Sequence, residues 1–106
     1  GRQNSIEGKF SPDEKVLIIE DLVSTGMSSL NAYDTLLDGG LNVLGMVSIF
    51  TYGFDEAISN FKKRNISYYS LSSYTYLLES ALNSDYINKN EINFLSMWRK
   101  DPKNWK

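Results

Sequence analysis

The chain has 106 residues, of which 42% are hydrophobic, so it is long enough for one small globular domain and too short for two independent cores. It contains no cysteine and no histidine, which excludes disulfides, thiolate metal sites and histidine-based catalysis from these residues. The net charge of −2 is a poor electrostatic match to nucleic acid, and no apolar run approaches the roughly 20 residues that span a bilayer. We therefore expect no nucleic-acid partner, no membrane partner and a cytoplasmic location.

Two kinds of apolar pattern alternate along the chain: short runs that are apolar on both faces, and longer stretches with helical spacing. The first kind is typical of buried strands in a parallel sheet. In chain order the predicted elements are a polar loop (1–14), a strand (15–20), a loop (21–26), a helix from Met27 to a stop at Gly39-Gly40, a strand (42–50), a turn (51–54), a helix (56–64) capped by Asp55, a strand (66–71), a helix that begins at Ser72-Ser73, and a last helix (88–98) before a polar tail. This alternation predicts an α/β fold with a parallel sheet, in which ligands bind at the carboxyl ends of the strands.

The segment after the first predicted strand combines features that bind phosphate. The turn Ser24-Thr25-Gly26 follows the strand, and Ser28 lies in the first turn of the next helix. Gly26 lets the backbone approach a ligand closely, and the free N–H groups of a helix N-terminus carry partial positive charge. The turn therefore predicts a phosphate site with hydroxyls as additional donors. The simpler alternative is that Ser24 or Thr25 only caps the helix.

Two adjacent carboxylates, Glu20 and Asp21, precede this turn and would repel a phosphate unless the ligand is a sugar phosphate. Carboxylates accept hydrogen bonds from vicinal hydroxyls, and Mg²⁺ can lie between them and further anionic groups. The alternatives are an exposed acidic strand end or a receiver-type phosphoacceptor pocket. A receiver domain would need a further Asp at the end of a later strand, where this chain has Phe50 and Thr51. The combined pattern favours a sugar-phosphate site.

The segment Glu20-Asp21-Leu22-Val23-Ser24-Thr25-Gly26, followed by Ser28-Ser29, resembles the phosphoribosyl-pyrophosphate (PRPP) motif of type I phosphoribosyltransferases, and of the orotate phosphoribosyltransferase family in particular. The opening stretch 1–8 resembles the end of that family's flexible catalytic loop, and the stretches 29–32, 43–47, 49–54 and 98–102 resemble one bacterial branch of the family. The resemblance implies a Rossmann-like type I phosphoribosyltransferase fold, with this chain as its C-terminal half and a partial parallel sheet flanked by helices. Residues 1–106 would then be part of one domain, with the end of a flexible catalytic loop and a linker at 1–14 and the PRPP-binding strand, loop and helix at 15–29.

The resemblance also implies a role for each residue of the motif. The residues implied to bind PRPP are Glu20, Asp21, Leu22, Val23, Ser24, Thr25, Gly26, Met27 and Ser28. The 5′-phosphate would lie at Ser24 to Ser28, and the catalytic pair Glu20 and Asp21 would contact the ribose hydroxyls. Ser24 would also lie near orotate, and the cofactor Mg²⁺ would be held through PRPP rather than by a protein ligand. The implied reaction displaces pyrophosphate from the ribose by a ring nitrogen of orotate and gives orotidine 5′-monophosphate, for pyrimidine synthesis.

Two features depart from the family pattern. Many members read the orotate carboxylate with the Arg of an Asp-Arg pair after the second strand, where this chain has Thr51-Tyr52. The family's catalytic loop carries a Lys and a His just upstream of the point where this chain starts, and it reaches into the neighbouring subunit of a dimer. The resemblance therefore implies a homodimer for the whole protein, and we expect the 106-residue chain alone to be inactive. Arg64 and Arg99 are expected to be surface charges.

Two rival functions share the same motif: a type I phosphoribosyltransferase that acts on a purine or on uracil, and a PRPP-sensing regulator of the same fold. The stretches at 49–54 and 98–102 favour orotate, and a regulator would need an effector or nucleic-acid surface that the sequence does not indicate. Side chains expected to have a structural or solvated role are Tyr68, Tyr69, Tyr74 and Tyr76 in the core or sheet, Lys62-Lys63-Arg64 at a solvated helix end, and one Trp of the tail packed on the body or on a partner subunit.

Overall fold

A computed structural model describes residues 8–105, and the predicted catalytic-loop end at residues 1–7 lies outside this range. Within it, three parallel strands form one sheet in the order β1-β2-β3. The elements are β1 (Lys15–Val23), α1 (Met27–Asp38), β2 (Asn42–Thr51), α2 (Asp55–Lys63), β3 (Tyr68–Ser73), α3 (Tyr74–Asn83), α4 (Lys89–Lys100) and a 3₁₀ helix (Pro102–Asn104). The predicted α/β fold with a parallel sheet is confirmed.

Strand β1 extends further than the sequence pattern indicates. We expected it to end at Glu20, yet it stays paired with β2 as far as Val23, which lies opposite Thr51. Leu22 and Val23 are apolar and suit a strand, and β2 is long enough to pair with both of them. The acidic pair therefore lies inside the strand, and the loop before α1 is only the turn Ser24–Gly26.

The helix ends also differ in detail from the prediction. Asp55 is the first residue of α2 rather than its cap, because Phe54 occupies the N-cap position and provides no side-chain hydrogen bond. Helix α4 begins after Asn88, whose side chain accepts from the Glu91 N–H while the Glu91 carboxylate accepts from the Asn88 N–H. This reciprocal pair satisfies two N–H groups that a helix start leaves without partners. α4 then runs to Lys100, which places Arg99 at its carboxyl end.

Helices α1 and α2 cover the same face of the sheet. The buried cluster beneath them consists of Ile18, Val23, Leu30, Met46, Ala57 and Phe61. A right-handed crossover between neighbouring parallel strands, repeated in the same direction, places both helices on one side. The core therefore lies between this face and the two helices, and Phe61 of α2 is 3% exposed within it.

Within residues 8–105 the opposite face of the sheet carries no covering helix. Its apolar side chains include Ile19, Tyr69 and Leu71, each 66% exposed, together with Leu17 and Ile49. Ile19 and Tyr69 occupy the same level of the sheet, since both are in register with Val47 of β2. Parallel sheets are normally covered on both faces, whereas the described residues cover only one face of this sheet. We call it the bare face.

The four tyrosines expected to pack in the core or sheet divide into two groups. Tyr68 lies against Phe61, with ring centroids 4.8 Å apart, and its hydroxyl is 2.6 Å from the buried Ser48 hydroxyl. Tyr74 is also buried. Tyr69 and Tyr76 are more than half exposed, so the packing prediction is wrong for these two in the described part of the chain. Tyr69 lies on the exposed face of the sheet, and Tyr76 lies on the exposed side of α3.

Candidate functional site

The turn between β1 and α1 presents unpaired backbone donors to solvent. Gly26 is the N-cap of α1 in the left-handed conformation, with φ 85°, and no side chain caps the helix. The first intrahelical bond runs from the Leu30 N–H to the Gly26 carbonyl at 2.9 Å, so the N–H groups before Leu30 lack intrahelical partners. The Thr25 hydroxyl is 3.4 Å from the Met27 nitrogen, a weak contact that a stronger acceptor would displace. The simple capping role considered for Ser24 or Thr25 is therefore not what the structure shows.

Helix α2 supports this turn from below. A Cβ on Gly26 would lie 2.9 Å from Cζ of Phe61, and so only glycine fits there, even apart from its positive φ. The Asn60 side chain donates to the Thr25 carbonyl across 3.5 Å. The turn is thus fixed against the core by two consecutive residues of α2, and its N–H groups are held in place before any ligand binds.

The carboxylates of the predicted catalytic pair are in different surroundings. Glu20 is half-buried and lies level with Ser48, whereas Asp21 is exposed and accepts a 2.7 Å hydrogen bond from the Leu22 N–H. Successive residues of a strand point to opposite faces, so the two carboxylates approach the strand end from two sides. Both residues lie near the end of β1, just before the turn whose N–H groups lack intrahelical partners.

The other predicted PRPP-binding residues contribute in different ways. Ser24 and Ser28 are exposed beside the turn, Thr25 is half-buried and Met27 is half exposed. Val23 is 1% exposed and belongs to the core, so only its backbone faces the site. Its carbonyl accepts from the Tyr52 N–H at 3.1 Å, which joins the end of β1 to the turn after β2.

An aromatic cluster surrounds the turn after β2. Tyr52 stacks on Phe54 with centroids 5.1 Å apart, and its ring is 5.9 Å from those of both Tyr74 and Trp98. Phe50 makes an edge contact with Tyr52 at 5.5 Å. The expected packing of one tail tryptophan on the body is confirmed by Trp98. We call Phe50, Tyr52, Phe54, Tyr74 and Trp98 the aromatic cluster.

Arg99 is not the free surface charge that the sequence suggested. Its side chain is half-buried, and Nη1 donates to the Gly53 carbonyl at 3.0 Å. Burial raises the pKa of the Tyr74 hydroxyl, an effect that the nearby Arg99 cation opposes. Arg64, by contrast, pairs with Asp34 on the surface and lies over the Tyr33 ring, as expected of a surface charge.

A cavity of about 220 Å³ separates the α1 turn from the carboxyl end of α4. Thr25 of the turn, Phe54 and Arg99 all line it. The remaining lining residues are Asp55, Glu56, Lys100, Asp101, Pro102 and Lys103. The sequence analysis did not predict this contribution of the tail, although the resemblance at 98–102 was a signal that the tail belongs to the site.

The oxygen donors beside the turn are of the kind that binds a magnesium ion. Among residues 8–105 no group of three or more His, Cys, Asp or Glu side chains is arranged to hold a metal. Glu20 and Asp21 provide hard oxygen ligands, and Mg²⁺ commonly binds through one or two carboxylates plus substrate phosphates.

None of the helices within residues 8–105 is long and apolar enough to cross a membrane.

Proteins of known name match the chain over its whole length. It is 45% identical over 106 residues to an orotate phosphoribosyltransferase of Cytophaga hutchinsonii and 47% identical over 105 residues to one of Phocaeicola vulgatus. The chain spans about half the length of these curated relatives, 51% and 50% respectively, and corresponds to their C-terminal half. No protein-family model matches the chain.

Solved structures share the fold. A Leishmania donovani UMP synthase matches 88% of this chain and 21% of its own, with 26% identity and a TM-score of 0.76. An orotate phosphoribosyltransferase of Mycobacterium tuberculosis, solved in complex with PRPP, matches 65% of this chain and 41% of its own, with 26% identity and a TM-score of 0.60.

The parallel sheet, the uncapped α1 turn and these structural matches define the chain as part of a type I phosphoribosyltransferase. Within that class its whole sequence is homologous to the C-terminal half of proteins named orotate phosphoribosyltransferase, and it belongs with that family. The family resemblance on which the sequence analysis depended is thereby confirmed.

Proposed function

We propose that the chain forms the PRPP-binding half of an orotate phosphoribosyltransferase active site. The single observation that carries this proposal is the glycine-capped N-terminus of α1, with no side-chain cap, directly after the carboxylates of β1. Its N–H groups suit a 5′-phosphate, and the carboxylates suit ribose hydroxyls a short distance away. The relatives' name indicates orotate as the base acceptor.

The geometry supports a division of labour during transfer. The turn would hold the 5′-phosphate, and Glu20 and Asp21 would accept hydrogen bonds from the ribose. As the bond from C1 to pyrophosphate breaks, the ribose gains positive charge, and the two carboxylates would stabilise it because they are already in place. Mg²⁺, when bound through PRPP, would neutralise charge on the leaving pyrophosphate. Ser24 would then contact the incoming orotate from the end of β1.

Three further properties belong to the same proposal. We infer that the active protein is a homodimer, that Mg²⁺ is required and that the reaction takes place in the cytoplasm. Support comes from the family resemblance, from the carboxylate oxygens of Glu20 and Asp21 as donors for Mg²⁺, and, for the cytoplasm, from the absence of cysteine. Because the chain contains no histidine and matches half of its relatives, the 106-residue chain alone is expected to release no pyrophosphate from PRPP and orotate.

Calorimetry with PRPP, Mg²⁺ and orotate tests the proposal. The protein used is the complete encoded polypeptide that contains this chain, and the variants are Glu20→Gln and Asp21→Asn. Each loses a charged hydrogen-bond acceptor for ribose, so PRPP affinity should fall about 10- to 100-fold. Glu79→Gln, an exposed carboxylate on α3, is the matched control and should bind as the wild type does. The proposal fails if PRPP does not bind or if all three variants bind it equally well.

The rival assignments have their own outcomes in the same titration. Tight PRPP binding with turnover of a purine or uracil, and none of orotate, would keep the fold and replace the substrate. PRPP binding with no turnover of any base by the complete polypeptide would favour the regulator. Turnover of orotate by the 106-residue chain alone would refute the expected need for further residues.

A further inference from the structure

Orotate is an aromatic carboxylate, and a cation near the base would recognise it through charge-assisted hydrogen bonds; this inference rests on the proposed function. Cations that can reach the site must lie at the carboxyl edge of the sheet, where the α1 turn is. Among residues 8–105, Lys9 and Lys15 precede or begin β1, and Lys62, Lys63 and Arg64 end α2, which runs back toward the amino edge. Lys89 starts α4, about 15 Å along the helix axis from Arg99. The cations that remain are Arg99, Lys100 and Lys103.

Of these three cations, Arg99 is the one held toward the strand ends. Lys103 pairs with Glu56 at 3.4 Å, and Lys100 is exposed. The bond from Arg99 Nη1 to the Gly53 carbonyl fixes the guanidinium beside the turn after β2, and it is the side-chain hydrogen bond that the structure gives Arg99 within the described residues. A guanidinium has five N–H donors in a planar fork, so four are left for a ligand.

The surroundings of Arg99 suit a planar anion. The aromatic cluster lies beside it, since Trp98 precedes Arg99 in the sequence and Tyr52 precedes Gly53, whose carbonyl accepts the Arg99 hydrogen bond. Thr25, the residue after Ser24, and Phe54 of the cluster line the same 220 Å³ cavity as Arg99. An aromatic ring beside a half-buried fork of donors suits a ring that carries a carboxylate.

Among the described residues, none of the acidic side chains that line the same cavity forms a salt bridge with Arg99. Glu56 is engaged with Lys103, and the Asp101 carboxylate accepts both of its 3.0 Å hydrogen bonds from the Asn104 amide. Asp55 lies in the first turn of α2, where the helix dipole favours a negative charge. Arg99 therefore keeps a cationic fork available at the cavity wall.

We propose that Arg99, held by the Gly53 carbonyl, is the specificity-determining residue that binds the carboxylate of the base substrate. The C-terminal helix would thus supply the charge that the Thr51-Tyr52 turn does not. The aromatic cluster would hold the helix end in position, so that the guanidinium meets the base near Ser24.

The test compares orotate with uracil, which has the same ring without the carboxylate, in the complete encoded polypeptide saturated with ribose 5-phosphate and pyrophosphate. Binding of each base is measured by isothermal titration calorimetry. Arg99→Gln keeps a donor for the Gly53 carbonyl but removes the charge. It should lower the ratio of orotate affinity to uracil affinity about 10- to 100-fold, since a charge-assisted hydrogen bond is lost. Arg99→Lys, which keeps the charge but not the fork, should lower it less.

Lys89→Gln is the matched control, because it removes a positive charge from the other end of α4, away from the cavity. Its affinity ratio should stay within about twofold of the wild type, as for an exposed charge. An unchanged ratio in Arg99→Gln, with PRPP still bound, would overturn this inference and leave the proposed function standing. Equal losses for orotate, uracil and PRPP would assign Arg99 a purely structural role and also overturn it. If Arg99→Gln does not fold, the Arg99→Lys ratio decides, and a ratio equal to that of the wild type refutes the fork. Failure of the wild type to bind PRPP refutes the proposed function itself.

Discussion

Replacing Gly26 with alanine tests how firmly the Ser24–Gly26 turn is fixed against α2. Alanine pays about 1–2 kcal/mol for the left-handed conformation that Gly26 adopts at φ 85°. The new Cβ would also lie 2.9 Å from Phe61 Cζ and 3.0 Å from Cε1, in a core where Phe61 is 3% exposed and has little room to move. Overpacking of this kind costs about 1–3 kcal/mol. The sum predicts that Gly26→Ala lowers the free energy of unfolding by about 2–5 kcal/mol.

Gly40→Ala separates the two contributions. Gly40 has nearly the same backbone angle, φ 82°, but the nearest atom to its added Cβ is Pro12 Cβ at 4.0 Å. Its expected cost is the conformational part alone, about 1–2 kcal/mol. Urea unfolding of both variants in the complete encoded polypeptide gives the difference, which reports the contact with Phe61. Equal costs for the two variants would show that the turn yields to the side chain, and the reasoning about a preformed turn would be refuted.

Three further predictions concern other parts of the fold. The Tyr68 and Ser70 hydroxyls lie 2.6 and 2.8 Å from the Ser48 hydroxyl, and Ser48→Ala removes that partner. The free energy of unfolding in urea should therefore fall by about 1–3 kcal/mol. A fall no greater than that of Ser59→Ala, at an exposed serine, would contradict this prediction. The Arg64 hydrogen bond lowers the pKa of Asp34, so this pair stabilises the fold at neutral pH, and the contribution is lost as the pH falls through the lowered pKa. In Arg64→Gln, carboxyl NMR titration should show the pKa of Asp34 rising toward its usual value. No such rise would exclude the pair in solution. Ile19→Lys on the bare face should change the stability of the 106-residue chain by less than about 0.5 kcal/mol, whereas Ile18→Lys in the core should unfold it, and a large effect at Ile19 would show that the face is covered.

The sequence was most informative where local pattern and tertiary environment agree. The two apolar runs that became β1 and β2 are buried or paired along their length, and the Gly39-Gly40 stop ends α1 as predicted. The turn at Ser24–Gly26 could be predicted because Gly26 allows a tight turn and the hydroxyl residues before it favour a helix start. The end of β1 was missed because a ladder continues while both strands can pair, which depends on the length of β2 rather than on residues near Asp21.

Contacts between distant parts of the chain carried no local signal. Arg99 reaches Gly53 across 46 residues, and nothing in the sequence around either residue specifies that bond. Tyr69 follows the strand pattern as well as Tyr68 does, yet it lies on a surface that no described element covers. Residue pattern predicts which side chains share a face, whereas the neighbouring elements decide whether that face is buried.

The bare face has a consequence for how stability can be measured. Because its apolar side chains gain free energy only when something covers them, the unfolding midpoint becomes a property of the solution as well as of the chain. Any covering surface acts as a ligand of the folded state, so the midpoint rises with the concentration of that surface. A dilution series therefore gives more information than one melting curve: a midpoint that falls on dilution measures how strongly this face is covered.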